Sequence, residues 1–292
     1  MRPLWRIITF IIAVPIVSLV LWSLYFIAMG GLAREPSFLS EEISGEIVTA
    51  ISALLVALWL RRFVDRRSIA SLGFAPRGPW LRLLFLGLAF GAGMQGVAFA
   101  VEALTKSTRI VGFGNVPSDA KILAAALGVF LAGALLEELS FRGYLFQNFW
   151  EAFGVVPAIV ITSLLFAGIH LYNPNAQSNV VQTLLGLLAY AVWACCSVLW
   201  TRSLWLALGA HLAWNLFEGP VFGFPVSGLV MPAPTVLAQS VSGPAWLTGG
   251  SFGPEAGVSS LVALTVGFVL LRLLYVRGTF ANAPDVREKY AR

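Results

Sequence analysis

Charge is what this sequence has least of. Only 11% of its 292 residues are Asp, Glu, Lys or Arg, while 58% are hydrophobic and the mean hydropathy is +0.84. A water-soluble globule carries about 25% charged residues, so too little charge is left to clothe a solvated surface. Cysteine is nearly absent: Cys195 and Cys196 are adjacent within an apolar run, which excludes a disulfide framework and a zinc knuckle. The cations outnumber the acids by 19 to 14, for a net charge of +5 and a pI near 9.6. They form no basic patch interleaved with aromatics, as nucleic-acid binding would require, so no nucleic-acid partner is expected. No repeat or low-complexity tail stands out either. These absences leave an integral, multi-pass membrane protein whose solvent is the lipid bilayer.

What is present is a series of apolar runs. A membrane-spanning helix needs about 20 mostly apolar residues. Eight stretches approach that length, at 7–29, 46–60, 80–104, 121–141, 155–172, 179–200, 204–219 and 257–276. The expected fold is therefore all-α: a single membrane domain over 1–292, built as a bundle of about eight transmembrane helices. Arg2 and Arg6 precede the first run, which is too long for a cleaved signal core and reads as a retained signal-anchor. With the N-terminus in the cytoplasm, 15 of the 19 cations fall inside, and only Arg34, Lys106, Arg109 and Lys121 fall outside. The positive-inside rule thus favours N-in, C-in. Residues 219–256 form a Gly- and Pro-rich segment whose only charge is Glu255. This extracytoplasmic segment is expected to cap the bundle or to dip into it, and a dip requires backbone that is buried or lines a cavity.

Acids and histidines inside hydrocarbon are costly and demand a reason. Both histidines, His170 and His211, fall inside predicted spans; Glu137 and Glu138 lie well within one, and Glu102 and Glu218 sit at span ends. Glu138 and Arg142 are four apart and share a helix face, so they can pair. Glu137 points about 100° away, free for another partner. Glu137 lies 17 residues before Gly154 and His170 lies 16 after it. With a bend at Gly154, both sit roughly 25 Å from it on antiparallel helices, at one depth. His211 and Asn215 share a face of the seventh span. His211 matches the depth of the other pair only if the chain after Arg142 bends along the interface. Ala132, Gly133 and Ala134, Ala167 and Gly168, and Gly209 and Ala210 precede the three sites and would allow close helix approach.

These groups suit hydrolysis of an amide without a nucleophilic Ser or Cys. Glu137 with His170 could hold and deprotonate a water, and His211 with Asn215 could donate hydrogen bonds to the resulting oxyanion. Arg142 would keep Glu138 ionised. Each piece has an ordinary packing explanation, an interhelical hydrogen bond or a bundle clamp, but their convergence on three spans argues for a reactive or ligand-binding site. Zinc is the chemical alternative: Glu137, His170 and His211 would supply three protein ligands, although the His-Glu-x-x-His helix motif is absent.

Glu137-Glu138-x-x-x-Arg142, then Phe166-x-x-x-His170, then His211-x-x-x-Asn215, in that order, resembles the CAAX-protease and bacteriocin-processing (CPBP or Abi) family of intramembrane proteases. The resemblance covers residues 121–219, spans four to seven. It implies that Glu137 and His170 activate the water and that His211 and Asn215 form the oxyanion hole. Glu138 and Arg142 would shape the site, with Phe166 beside His170. It favours a metal-free, glutamate-dependent endopeptidase over a zinc enzyme, acting on a membrane-associated peptide or protein near the cytoplasmic side. The setting it implies is a bacterial cytoplasmic membrane. The alternative from another class is a non-catalytic scaffold or immunity protein that binds a membrane partner; a proton or metal transporter is a third.

Overall fold

The computed structural model describes residues 3–29, 38–76, 78–114, 120–230 and 235–280. The cations Arg2, Arg34, Arg77, Arg287, Lys289 and Arg292 lie outside them, and of Lys121 only the backbone is described. Ten α-helices follow in chain order: α1 (Pro3–Ala28), α2 (Phe38–Trp59), α3 (Trp80–Leu104), α4 (Ala120–Glu137), α5 (Phe146–Phe153), α6 (Val155–Ile169), α7 (Val180–Thr201), α8 (Trp205–Leu216), the single-turn α9 (Ala245–Thr248) and α10 (Val258–Val276). Each apolar run lies on a helix, six of them starting within one residue of the expected position, while α1 and α2 begin earlier, at Pro3 and Phe38 rather than at 7 and 46. Six helical segments among the described residues are long and apolar enough to cross a membrane: 3–28, 47–64, 80–104, 155–172, 176–201 and 258–276. The other two expected spans are α4 and α8, and α8 has only 12 residues.

Lipid exposure explains α1, which buries only Arg6, Ile7 and Phe10. Leu4, Ile8, Ile12, Ile16 and Leu19 face outward, an arrangement that would be costly in water and costs nothing in hydrocarbon.

Two departures from simple helices matter. Helix α4 does not continue to residue 141: at Glu138 it widens into a π-helical stretch, Glu138–Leu145, whose eight residues are all buried, and then returns to α-geometry as α5. Gly154, at φ +88°, ends α5 and starts α6, which is the expected bend. The second departure is a two-stranded antiparallel sheet, outside an all-α expectation. Strands β1 (Thr108–Phe113) and β2 (Leu237–Val241) pair Thr108 with Val241 and Phe113 with Leu237, with an irregularity between Ile110 and Gly112. The sheet ties the α3–α4 connection to the 219–256 segment.

Short α8 is seated by glycine. A Cβ on Gly87 or Gly91 of α3 would run into the carbonyl oxygens of Leu206 and Ala210, and one on Gly209 into that of Leu84. The two backbones therefore touch, as small residues permit. Gly133 and Gly168 make no such contact, so proximity of helices explains only the Gly209–Ala210 pair and the fully buried Ala134 and Ala167.

At one end of the bundle the charges of distant segments meet. Arg6 of α1 lies 3.3 Å from Asp65 and 3.2 Å from Glu151 of α5, Arg67 lies 2.8 Å from Glu151, and Arg61 lies 3.2 Å from Asp65. Arg61 also bonds Gln147, whose amide donates to the Leu72 carbonyl. Three of the cations that counting assigns to one membrane face, Arg6, Arg61 and Arg67, thus meet in one cluster.

Candidate active site

Helices α4, α6 and α8 bring the expected residues together. The Glu137 carboxylate lies 3.6 Å from His170 Nε2 through Oε1 and 3.7 Å from His211 Nε2 through Oε2. Both histidines are buried. The opposite nitrogen of each ring is committed. His170 Nδ1 is 2.8 Å from the Phe166 carbonyl oxygen, and a carbonyl can only accept, so Nδ1 carries the hydrogen. His211 Nδ1 is 2.9 Å from Glu138 Oε1, and the same reasoning places a hydrogen there. Both Nε2 atoms are left for the cavity.

Glu138 is the hub that fixes this arrangement. Its Oε1 accepts from His211, from Arg142 at 3.2 Å and from the Tyr190 hydroxyl at 3.3 Å. Side chains of Glu138 and Arg142 are fully buried. The Arg142 guanidinium lies over the Phe166 ring, 4.4 Å from its centroid, and the Phe166 ring sits 4.5 Å from that of His170. A cation on a ring face is favourable, so Arg142 braces α6 as well as its own helix. The π-helical geometry starts at Glu138, so two adjacent acids leave the helix on different sides, one toward the cavity and one into the polar hub.

The cavity has a volume of about 40 Å³ and is lined by Glu137, His170, His211 and Asn215, together with Tyr190, Trp214, Ser227 and Glu255. That is room for on the order of three water molecules, and not for a peptide. Among the described residues no protein group hydrogen-bonds the Asn215 amide.

Sequence reasoning missed three of these groups. Tyr190 lies mid-span on α7, where an aromatic signals nothing by itself; its edge packs on His211 at 5.3 Å. Ser227 and Glu255 come from the 219–256 segment, which was expected to cap or dip and here reaches the same cavity as Glu137. The Glu255 carboxylate accepts from Trp214 Nε1 at 3.2 Å and from the Ser227 hydroxyl at 2.6 Å. Burial pushes the Glu255 carboxyl up, while the Ser227 hydrogen bond and the nearby imidazoles pull it down. Being the lone charge of that segment was the available signal. The span-end acids are buried too: Glu102 accepts from Thr108 and Ser259, joining α3, β1 and α10, and Glu218 accepts from Gln95 of α3.

Two imidazole nitrogens and a carboxylate are donor types that suit zinc. Among the described residues no group of three or more His, Cys, Asp or Glu side chains is arranged to hold a metal ion.

Residues 119–217, about a third of the chain, match the family model described as Type II CAAX prenyl endopeptidase Rce1-like. The likeness to the Rce1-like branch of the CPBP family is confined to that stretch. The match includes Glu137, Glu138, Arg142, Phe166, His170, Tyr190, His211 and Asn215; Ser227 and Glu255 lie beyond it. No curated protein and no solved structure matches the chain.

Proposed function

We propose that this chain is an intramembrane endopeptidase that hydrolyses a membrane-associated peptide or protein with a water activated by Glu137 and His170. The observation that carries the reading is the pair of committed Nδ1 atoms. Each turns a bare or protonatable Nε2 toward one carboxylate, 3.6–3.7 Å away. With its Nδ1 hydrogen given to Phe166, neutral His170 presents a lone pair at Nε2. Two acceptors face each other across 3.6 Å, and a water seated beside that line satisfies both by donating one hydrogen to each at about 2.8 Å. Its remaining lone pairs are then free to attack.

The water oxygen bonds to the substrate carbonyl carbon and gives one proton to Glu137. The carbonyl π electrons move to oxygen, and that oxyanion accepts hydrogen bonds from Asn215 and from Nε2–H of protonated His211. The Glu138 carboxylate at His211 Nδ1 supports that cation. Glu137 passes its proton to the departing nitrogen as the C–N bond breaks. The new carboxylic acid then gives its proton to the released amine, and the site is restored. Tyr190 and Arg142 hold Glu138, so their contribution is to position His211.

In this reading no metal takes part. Were zinc resident, Glu137, His170 and His211 would hold it, and it would supply Lewis-acid polarisation. Elemental analysis of active protein separates the two mechanisms: activity at far below one metal per chain supports the glutamate mechanism, and strict co-titration of activity with zinc overturns it.

The experiment for the function itself compares cleavage of a peptide library by purified wild type and Glu137→Ala. Wild-type cleavage that the variant lacks is expected. Cleavage by neither, with both proteins complementing a deletion strain equally, would instead make the chain a scaffold or immunity protein.

A further inference from the structure

Glu255 has no assigned task in the chemistry above, yet it stands on the wall of the cavity that Glu137 faces. Every polar contact it makes has a neutral donor: the Trp214 indole N–H and the Ser227 hydroxyl. Among the described residues no Lys or Arg pairs with it, and none lines the cavity. Glu102 and Glu218 are also buried on neutral donors alone, but neither lines this cavity, and two other buried acids have arginine partners. Glu138 has Arg142 at 3.2 Å, and Asp65 has Arg6 and Arg61. A carboxylate offers about four acceptor positions, and two on Glu255 are taken. The residue is only 9% exposed, and holding a carboxylate in such a place with no Lys or Arg, and only the imidazoles across the cavity to offset it, is costly.

Its position is built rather than incidental. The Glu255 carbonyl oxygen rests against Gly186 of α7, where any Cβ would collide with it. The indole that holds one carboxylate oxygen belongs to Trp214, the residue before Asn215. Ser227, which holds the other, is itself pinned: Asn173, in the turn after His170, donates to the Ser227 carbonyl at 3.1 Å. The acid is therefore fixed from both the α6 and the α8 sides of the site.

From this geometry we infer that Glu255 is a specificity residue that receives a cationic side chain, Lys or Arg, placed next to the cleaved bond of the substrate. The inference rests on the endopeptidase reading. A cavity of about 40 Å³ keeps Glu255 close to the bond that Glu137 faces, and neighbouring residues of an extended peptide are spaced by only about 3.3–3.6 Å. A substrate ammonium or guanidinium would fill the open acceptor positions and offset the burial of the charge. An acidic side chain there would place two carboxylates together and be rejected.

The test is an internal competition, which does not depend on how much of a preparation is folded. Detergent-purified full-length protein receives an equimolar mixture of peptides identical except for Lys, Arg, citrulline, norleucine or Glu beside the cleaved bond, and products are counted by mass spectrometry. Every peptide is supplied N-acetylated and, in a parallel mixture, with a free amine. Wild type is expected to favour Lys and Arg over citrulline and norleucine by roughly tenfold or more, the scale of losing one partner of a buried charge pair. Glu is expected to be cleaved least. Glu255→Gln is expected to bring the Lys-to-citrulline ratio close to one, and Glu255→Asp to keep it above one. A wild-type ratio below about twofold overturns the inference, as does a preference that Glu255→Gln retains. A preference that follows the free α-amine rather than the side chain overturns it in favour of N-terminal recognition. Failure of wild type to cleave any peptide strikes the endopeptidase reading itself, and this inference with it.

Discussion

At the scale of single residues, the site is a division of labour between two adjacent acids. Glu137 faces the cavity and Glu138 faces away into a hub of His211, Arg142 and Tyr190. The roles predict different mutational costs. Removing Asn215, proposed above as an oxyanion donor, should lower kcat by about 10²–10³ with little change in KM; steady-state kinetics of Asn215→Ala checks this. Tyr190→Phe removes one hydrogen bond to Glu138 and leaves the ring packing. A loss of about 1 kcal/mol, close to fivefold in kcat/KM, is expected, and a loss of a hundredfold would mean that Tyr190 touches substrate. The three motif clusters were legible because ionisable groups are rare in this chain and each stood out against lipid. Tyr190 was not, since a Tyr inside an apolar run looks like packing until its hydroxyl is seen to bond Glu138. Glu255 was visible as a lone charge, but nothing in one dimension tells which helices a 38-residue segment will reach.

The elements explain how a 12-residue helix can present two functional groups at a fixed depth. Helix α8 is backed onto α3 through Gly87, Gly91 and Gly209, whose missing side chains let the backbones touch. Gly91→Val should push α8 outward. Overpacking of that kind costs about 1–3 kcal/mol, and the expected outcome is a lower thermal midpoint in detergent together with reduced activity; Gly93→Val, where there is open space, should leave the midpoint nearly unchanged. The sequence disclosed the helices but not their interruption. Apolar periodicity runs smoothly through 121–141, whereas the chain switches to π-geometry at Glu138. That switch comes from tertiary demands: Glu138, Arg142 and Tyr144 must all find buried partners. Equal rise counted from Gly154 placed Glu137 level with His170, and they do meet. The same arithmetic left His211 short, although its Nε2 lies 3.7 Å from Glu137.

At the scale of the whole molecule, orientation in the membrane is a matter of where the cations sit. Arg6, Arg61 and Arg67 come from well-separated parts of the chain and converge on Asp65 and Glu151, which is what a common cytoplasmic face would produce. With N-in, C-in topology, a membrane-impermeant maleimide should label Arg109→Cys in intact cells. Arg62→Cys should be labelled only after permeabilisation. Both positions are exposed, and the native Cys195 and Cys196 are buried, so background labelling should be low. Reversed labelling would invert the orientation. The 219–256 segment reaches the cavity through Ser227 and Glu255 and is tied to β1 through β2, neither of which could be foreseen from span counting. Strand pairing between residues more than 120 positions apart leaves only a short, weakly alternating trace in the sequence.

The central claim is that the Glu137 carboxylate takes the proton of the attacking water. Glu137→Gln keeps the size and hydrogen-bonding reach of the side chain and removes its ability to accept that proton. The deciding measurement is the initial rate of cleavage of one defined substrate by folded wild type and Glu137→Gln, in chelator-treated buffer. A loss of about 10²–10⁴ in kcat is predicted, the usual worth of a general base. Rates within twofold of each other would contradict the account.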